Sequence, residues 1–425
     1  MNKKIQCKTA KLAAAALLVS ASIATAEDIP VVNVGGTKIS LYGFLQANAV
    51  YEDGANGNKN WTEVVPSKAE DGEGRFMFNV NQTRIGFNLA GPQKEGMPEV
   101  SGKFESDFGN TNDRMSNANA GTSNGGSSFR IRQSYGQVKF KDIGLTVLMG
   151  QTSDLIAPLS APTLNQGGLK SQGSLGTRRP QLRLTQAIGP IEIAVAATDD
   201  RASQPVMPAF QGSVKGKIPA VWAGEKENIE IILSGHYAAE ESAADDTAGV
   251  NKKDSDGYTS PPTSWSGVAS LSLPVISIIN LSGELFYGQN LARYNNGSIN
   301  ISSGPATGRV GAGIQSMGGW GGASIKLPAG FSLAGGIGLE AIDENRELKS
   351  TFKKDGEGKE TDLEKANPNK NMVIFTNLKY NVAETVFIGF EYANLQTDYA
   401  SSEKDKKVDS GKLNRFELVL NYGFK

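Results

Sequence analysis

Cysteine and histidine are almost missing from this chain, which has one of each, Cys7 and His236, in 425 residues. A lone histidine cannot supply a zinc cluster. Cys7 lies in the N-terminal segment, so the remainder has neither a disulfide framework nor a thiolate metal site. After residue 26 no stretch approaches the ~20 consecutive apolar residues of a membrane-spanning helix. No sign of charge dominates either: 43 Lys and Arg face 44 Asp and Glu. That balance argues against a nucleic-acid binder. No G-x-S-x-G signature surrounds His236, and "DDTAGVNKKDSDGY" (245–258) lacks EF-hand spacing. Catalytic residues, metals and cofactors are therefore not expected.

The N-terminus carries a basic start, an apolar run from Leu12 to Ile23 and the small-residue site Ala24-Thr25-Ala26. This is the pattern of a secretory signal peptide over 1–26. Cleavage would remove Lys3, Lys4, Lys8 and Lys11 and take the formal charge from −1 to −5. Glycine is abundant: 50 residues, about 12% against a usual ~7%. It follows no G-X-Y repeat, so the excess belongs in turns, bends and close backbone contacts.

What is present is alternation. In the closing "LNRFELVLNYGFK", Phe416, Leu418, Leu420, Tyr422 and Phe424 share one parity. Arg415, Glu417, Asn421 and Gly423 share the other, with Val419 the apolar exception. Such a period of two gives a strand with one apolar and one polar face. The pattern recurs about sixteen times from Lys38, including segments near 129–139, 214–223 and a glycine-rich 310–327. The connections alternate long and short: 52–74, 109–128 and 153–179 are long, whereas 140–143, 188–190 and 328–330 are brief. Long outer loops, tight periplasmic turns and an even strand count predict an all-β transmembrane antiparallel barrel over 38–425, after a short periplasmic lead (27–37). The last strand must then pair with the first, since a spanning sheet cannot leave an edge in lipid.

Charge at membrane depth is costly toward lipid, so Arg84, Arg130, Arg132 and Arg183, opposite Ile85, Ile131, Leu182 and Leu184, should face inward. Arg178 and Arg179 adjoin them. Glu105 and Asp107 share that wall, and Asp154 begins the 153–179 connection. These nine residues are the candidate pore-lining set. The arginines can also pair with Glu105, Asp107 or Glu192 to brace the wall, which is compatible with lining a pore. Leu155, Ile156, Leu159 and Leu164 make the 153–179 connection too apolar for solvent. It should fold into the barrel and narrow it, or else pack on a neighbouring subunit.

The stretches "LYGFLQANAVY", "FRIRQSYGQV", "VLMGQTSDL", "RRPQLRLTQ", "GELFYGQNL" and "VIFTNLKYNVAETVFIGFEYA" run in order along most of the chain. Together they resemble the DcaP-like trimeric porins of the Gram-negative outer membrane. The resemblance implies a sixteen-stranded, homotrimeric passive channel for small hydrophilic solutes, with a leaning toward negatively charged ones such as dicarboxylates. It also implies contact with the bilayer and lipopolysaccharide. Two features depart from the pattern: Lys425 follows the final aromatic, and only "EDIPVVNVGGT" precedes the first strand where relatives can carry a coiled coil. The rival readings are an outer-membrane barrel enzyme of lipase or protease type, and a plugged structural or adhesive barrel.

Overall fold

The computed structural model describes residues 31–55, 61–109, 129–165, 167–199, 207–239, 263–294, 315–342, 353–354, 360–361, 368–399 and 410–424. The expected signal peptide and the loop at 245–258 lie outside the described residues.

Sixteen antiparallel strands close into one barrel. They are β1 (Thr37–Glu52), β2 (Arg75–Asn79 and Arg84–Ala90), β3 (Glu99–Asp107), β4 (Arg130–Phe140), β5 (Leu145–Ser153), β6 (Arg178–Ile188), β7 (Ile191–Thr198) and β8 (Ala209–Pro219). The other half comprises β9 (Asn228–Ala239), β10 (Thr263–Ile276), β11 (Ile279–Gln289), β12 (Gln315–Lys326), β13 (Phe331–Ile342), β14 (Pro368–Ala383), β15 (Val386–Tyr399) and β16 (Ser410–Phe424). Each strand pairs with its sequence neighbour, and β16 pairs with β1 from Gly43↔Phe424 to Glu52↔Arg415. Both segments of β2 pair with β1, so they act as one interrupted strand. Before β1, Val32–Val34 folds back on it through Gly35 and Gly36, both at positive φ.

β8 corrects the expected strand at 214–223. It begins at Ala209 and ends at Pro219, and the turn spans 220–227. Val221 and Trp222 extend the apolar pattern past the strand, but Pro219 has no N–H to continue a ladder.

The two faces differ as the alternation requires. On β16, Leu418, Leu420 and Tyr422 are exposed on the outside, while Arg415, Glu417 and Val419 are each 1% exposed inside. Polar side chains lock the seam from within. Arg415 bridges Glu52 at 2.7 Å and Glu417 at 3.1 Å, Asn421 donates to Gln46 at 3.0 Å, and Asn48 donates to Glu417. Closure therefore rests on backbone ladders backed by a buried ionic cluster.

Among the described residues, two stretches of connecting chain lie inside the barrel. Residues 61–72, expected as part of a plain outer loop, tuck inward: Trp61, Val65 and Ala69 are buried. Residues 154–177 do the same. A core inside the wall joins Val65, Ala69 and Leu169 to Trp320, Val373, Phe375, Leu395 and Leu413. Here the glycine excess has a local cause. A Cβ on Gly338 would lie 2.0 Å from Gln172 O, and one on Gly411 would lie 1.9 Å from Pro66 O. Only glycine lets the inward chain press this closely on the wall.

Candidate functional site

β3 and β4 build the charged wall of the lumen. Their ladder shifts where Glu105 pairs with Gln133 but Ser106 pairs with Ile131, leaving Arg132 as the extra residue. Such a bulge re-aims side chains. Arg130 grips Asp107 with two bonds, Nε–Oδ1 at 2.8 Å and Nη2–Oδ2 at 2.7 Å. Arg132 spans both acids, reaching Glu105 at 2.8 Å and Asp107 at 2.6 Å. On β2, Arg84 approaches Glu105 at 3.6 Å, and the Tyr42 hydroxyl of β1 donates to Glu105 at 2.9 Å. Three arginines thus surround two buried carboxylates, and each acid holds its partners in fixed directions.

The opposing wall is the 154–177 segment. Its root is pinned by a buried pair, Arg179 Nε to Asp154 Oδ2 at 3.0 Å. Asp154 also accepts from the Thr177 amide at 2.7 Å and from Gln211 at 2.9 Å. Arg179 donates to Arg293 O and lies 3.9 Å over the Tyr294 ring, which stacks on His236 at 3.7 Å. Both ring nitrogens of His236 face serine hydroxyls, Ser266 at 2.6 Å and Ser264 at 2.9 Å. The histidine is a wall residue beneath this anchor. Among the described residues no group of three His, Cys, Asp or Glu could hold a metal ion.

Further along, wall carboxylates dock the segment's backbone. Glu284 accepts from the Leu159 amide at 3.3 Å, and Glu391 accepts from Thr163 and Leu164, each at 2.6 Å. Ile156 packs with Leu175, Val268, Phe286 and Leu291, and Leu155 with Ala194 and Ala196. Leu164 lies against Gly389. The apolar side chains that needed cover thus find it on the inner wall. Near the tip, Gly168, Ser171, Gly173 and Gly176 have positive φ, which folds "GGLKSQGSLG" into tight turns. The first inward segment is tied to the second: Gln172 donates to the carbonyls of Thr62 and Glu63, and Asn371 of β14 donates to those of Glu63 and Ser171.

Between wall and segment lies a cavity of about 290 Å³. Arg84, Arg130, Arg132, Arg178 and Lys170 all line it, with Asp107. Lys170 was not singled out in the sequence, and among the described residues no carboxylate lies within ion-pair distance of it. Burial, and then the Arg178 charge, lower its pKa to about 8. Of the nine candidates, five meet around this cavity: Arg84, Asp107, Arg130, Arg132 and Arg178, with Glu105 directly behind. The other three do not line it. Asp154 and Arg179 are 3% and 0% exposed and bind each other, because the root of the segment covers them. Arg183 turns to Gln181 and to Ser153 O.

Neither a protein-family profile nor a curated sequence relative matches the chain. Solved structures do. The outer membrane channel DcaP of Acinetobacter baumannii superposes with a TM-score of 0.71 at 18% identity, covering 92% of this chain and 99% of that one. The anion-selective porin from Comamonas acidovorans gives 0.56 at 13% identity, covering 91% and 100%. OmpT, an outer membrane protein of Vibrio cholerae in trimer form, gives 0.52 at 7% identity, covering 92% and 100%. The fold is that of outer-membrane porins.

Proposed function

We propose that the chain is an outer-membrane porin, a passive channel for small hydrophilic solutes that favours anions. The observation that carries this is the cavity between β2–β4 and the inward segment. Five cationic groups converge there against two carboxylates, in a confined space where low-dielectric walls focus their field on a passing solute. The likeness to an anion-selective porin and to DcaP agrees in fold with this reading. Residues 1–26 act as the export signal, so the intact mass of the exported protein should begin at Glu27. A homotrimer in contact with lipopolysaccharide is the assembly that fits, and one relative of this fold is a trimer.

One observation favours a second reading, a plugged barrel: the 61–72 segment packs inside the wall beside the 154–177 segment and is bonded to it. Planar-bilayer recording separates the two. The porin reading expects discrete open-channel steps and, under a KCl gradient, a reversal potential of anion-selective sign. A silent barrel would favour the plug, and a clearly cation-selective one would overturn the anion preference.

A further inference from the structure

At the end where the short turns lie, the seam between β1 and β16 is notched. β16 pairs with β1 only as far as Gly43↔Phe424. The Val32–Val34 strand takes up the same edge of β1 again at Val32↔Ile39, since the other edge of Lys38 and Ile39 is held by Ala90 and Leu89 of β2. Between the two lie Ser40, Leu41 and Tyr42. They pair with Asn88, Phe87 and Gly86 of β2, and on the β16 side they have no strand partner among the described residues. Four residues of antiparallel strand separate Ile39 from Gly43, so the notch is roughly 14 Å long. An open edge of peptide N–H and C=O groups is a template for one more length of strand.

A cavity of about 310 Å³ adjoins the Phe424 end of this notch. Gly43, Phe44, Gly423 and Phe424 line it where β1 meets β16, and Glu384 and Thr385 line it from the turn between β14 and β15. Glu384 is exposed, and among the described residues no cation lies within ion-pair distance of it. Lys379 of β14 also borders the cavity.

We infer that the chain's own N-terminus, freed by cleavage after Ala26, completes this seam: residues 29–31 fill the notch, and the new ammonium group of Glu27 seats in the cavity against Glu384. Val32–Val34 runs antiparallel to β1, so the chain that precedes it heads along β1 toward Phe424. Continued in the register Val32↔Ile39, Val31, Pro30 and Ile29 stand opposite Ser40, Leu41 and Tyr42. Pro30 suits this place, because a strand edge tolerates a missing N–H. Phe424 holds the position opposite Gly43, so Asp28 and Glu27 leave the ladder where the cavity opens. Two extended residues reach about 7 Å, enough to carry the terminus into it. Lys379 offsets the carboxylates of Glu27 and Asp28 at longer range. A chain still joined to residue 26 has a peptide bond at this point and no ammonium, so the seat accepts only the processed protein. The inference rests on the export-signal reading of residues 1–26 and is independent of conduction.

The exported protein, purified in detergent, is tested by chemical labelling and cross-linking. At neutral pH the α-amine of Glu27, followed by peptide-resolved mass spectrometry, should acylate roughly tenfold more slowly in the folded barrel than in urea, the size of one charge-assisted contact. Glu384→Gln should return most of that rate. The chain after residue 26 contains no cysteine, so introduced pairs report proximity without competition. Asp28→Cys with Thr385→Cys should form a disulfide under mild oxidation, whereas Asp28→Cys with Glu225→Cys, on the turn after β8, should not. An α-amine that acylates equally fast folded and in urea overturns the seat, as does cross-linking to position 385 no greater than to position 225. Cross-linking of Lys425→Cys to position 385 in preference to Asp28→Cys would give the cavity to the C-terminus instead and equally overturn it. Intact mass separates this failure from that of the export signal: a chain that keeps residues 1–26, or lacks residues 27–30, refutes both, while a chain starting at Glu27 with a freely reactive amine refutes the seat alone. A silent barrel in the bilayer leaves all of these readouts in place.

Discussion

At the scale of single residues, the charged wall and Lys170 play different parts. Arg130 and Arg132 spend much of their charge on Asp107 and Glu105, so a solute meets a field with both signs in it. Lys170 has no such partner within reach among the described residues, and it faces the same space. Its pKa, lowered to about 8 chiefly by burial, gives a pH test with a definite sign. Lys170 carries its charge below that value and loses it above, so anion preference should fall between pH 7 and pH 9. Reversal potentials across that range measure it, and Lys170→Met should flatten the dependence. An unchanged slope in that variant would assign the titration elsewhere. Removing both Arg130 and Arg132 as alanines should move the reversal potential toward zero, because Glu105 and Asp107 then stand against fewer cations. Parity alone put these arginines on the water side. It could not find Lys170, which sits in a turn-rich stretch with no period to read, nor show that Arg179 and Asp154 would turn to each other beneath the loop.

At the scale of elements, strands were legible and inward chain was only partly so. Alternation located nearly every strand, because lipid on one side and water on the other impose a period of two over ten or more residues. It failed at β8, where apolar residues continue beyond Pro219 into a turn. The 154–177 segment declared itself by leucines in a loop, whereas 61–72 gave no comparable excess. Its burial comes from Val65 and Ala69 meeting the wall and from Trp61 lying against Gly167 of the longer segment. The root of the longer segment depends on the Asp154–Arg179 pair. Breaking a buried pair from one side leaves an uncompensated charge, at a cost of about 3–5 kcal/mol. Asp154→Ala should therefore loosen the segment and give larger, noisier single-channel steps. Steps identical to the parent's would mean that the Glu284 and Glu391 contacts hold the segment alone. On the outer face, Leu418→Arg should cost roughly 2–4 kcal/mol near mid-membrane, read as a lower denaturant midpoint for the folded barrel. Assembly and stability equal to the parent's would contradict the assigned facing of β16.

At the scale of the whole molecule, net charge and local charge point in opposite directions. The chain without its first 26 residues is formally −5, which on its own would favour cations. What a solute senses, however, is charge within about a Debye length, ~8 Å at physiological salt. The cations that line the cavity fall inside that range of a solute within it. Confinement between the β2–β4 wall and the inward segment adds to the local field, since few counter-ions fit beside the solute. Salt concentration therefore becomes a handle on the argument. At 0.1 M the Debye length is ~10 Å and the fields of the constriction's cations overlap across the cavity; at 1 M it is ~3 Å and each cation acts almost alone. Anion preference should accordingly be largest in dilute KCl and decline toward 1 M, with the same sign throughout. Reversal potentials at a fixed concentration ratio and rising mean concentration measure this directly. A preference that turned cationic in dilute salt would mean that the −5 of the whole chain, reaching further when unscreened, outweighs the five groups at the constriction.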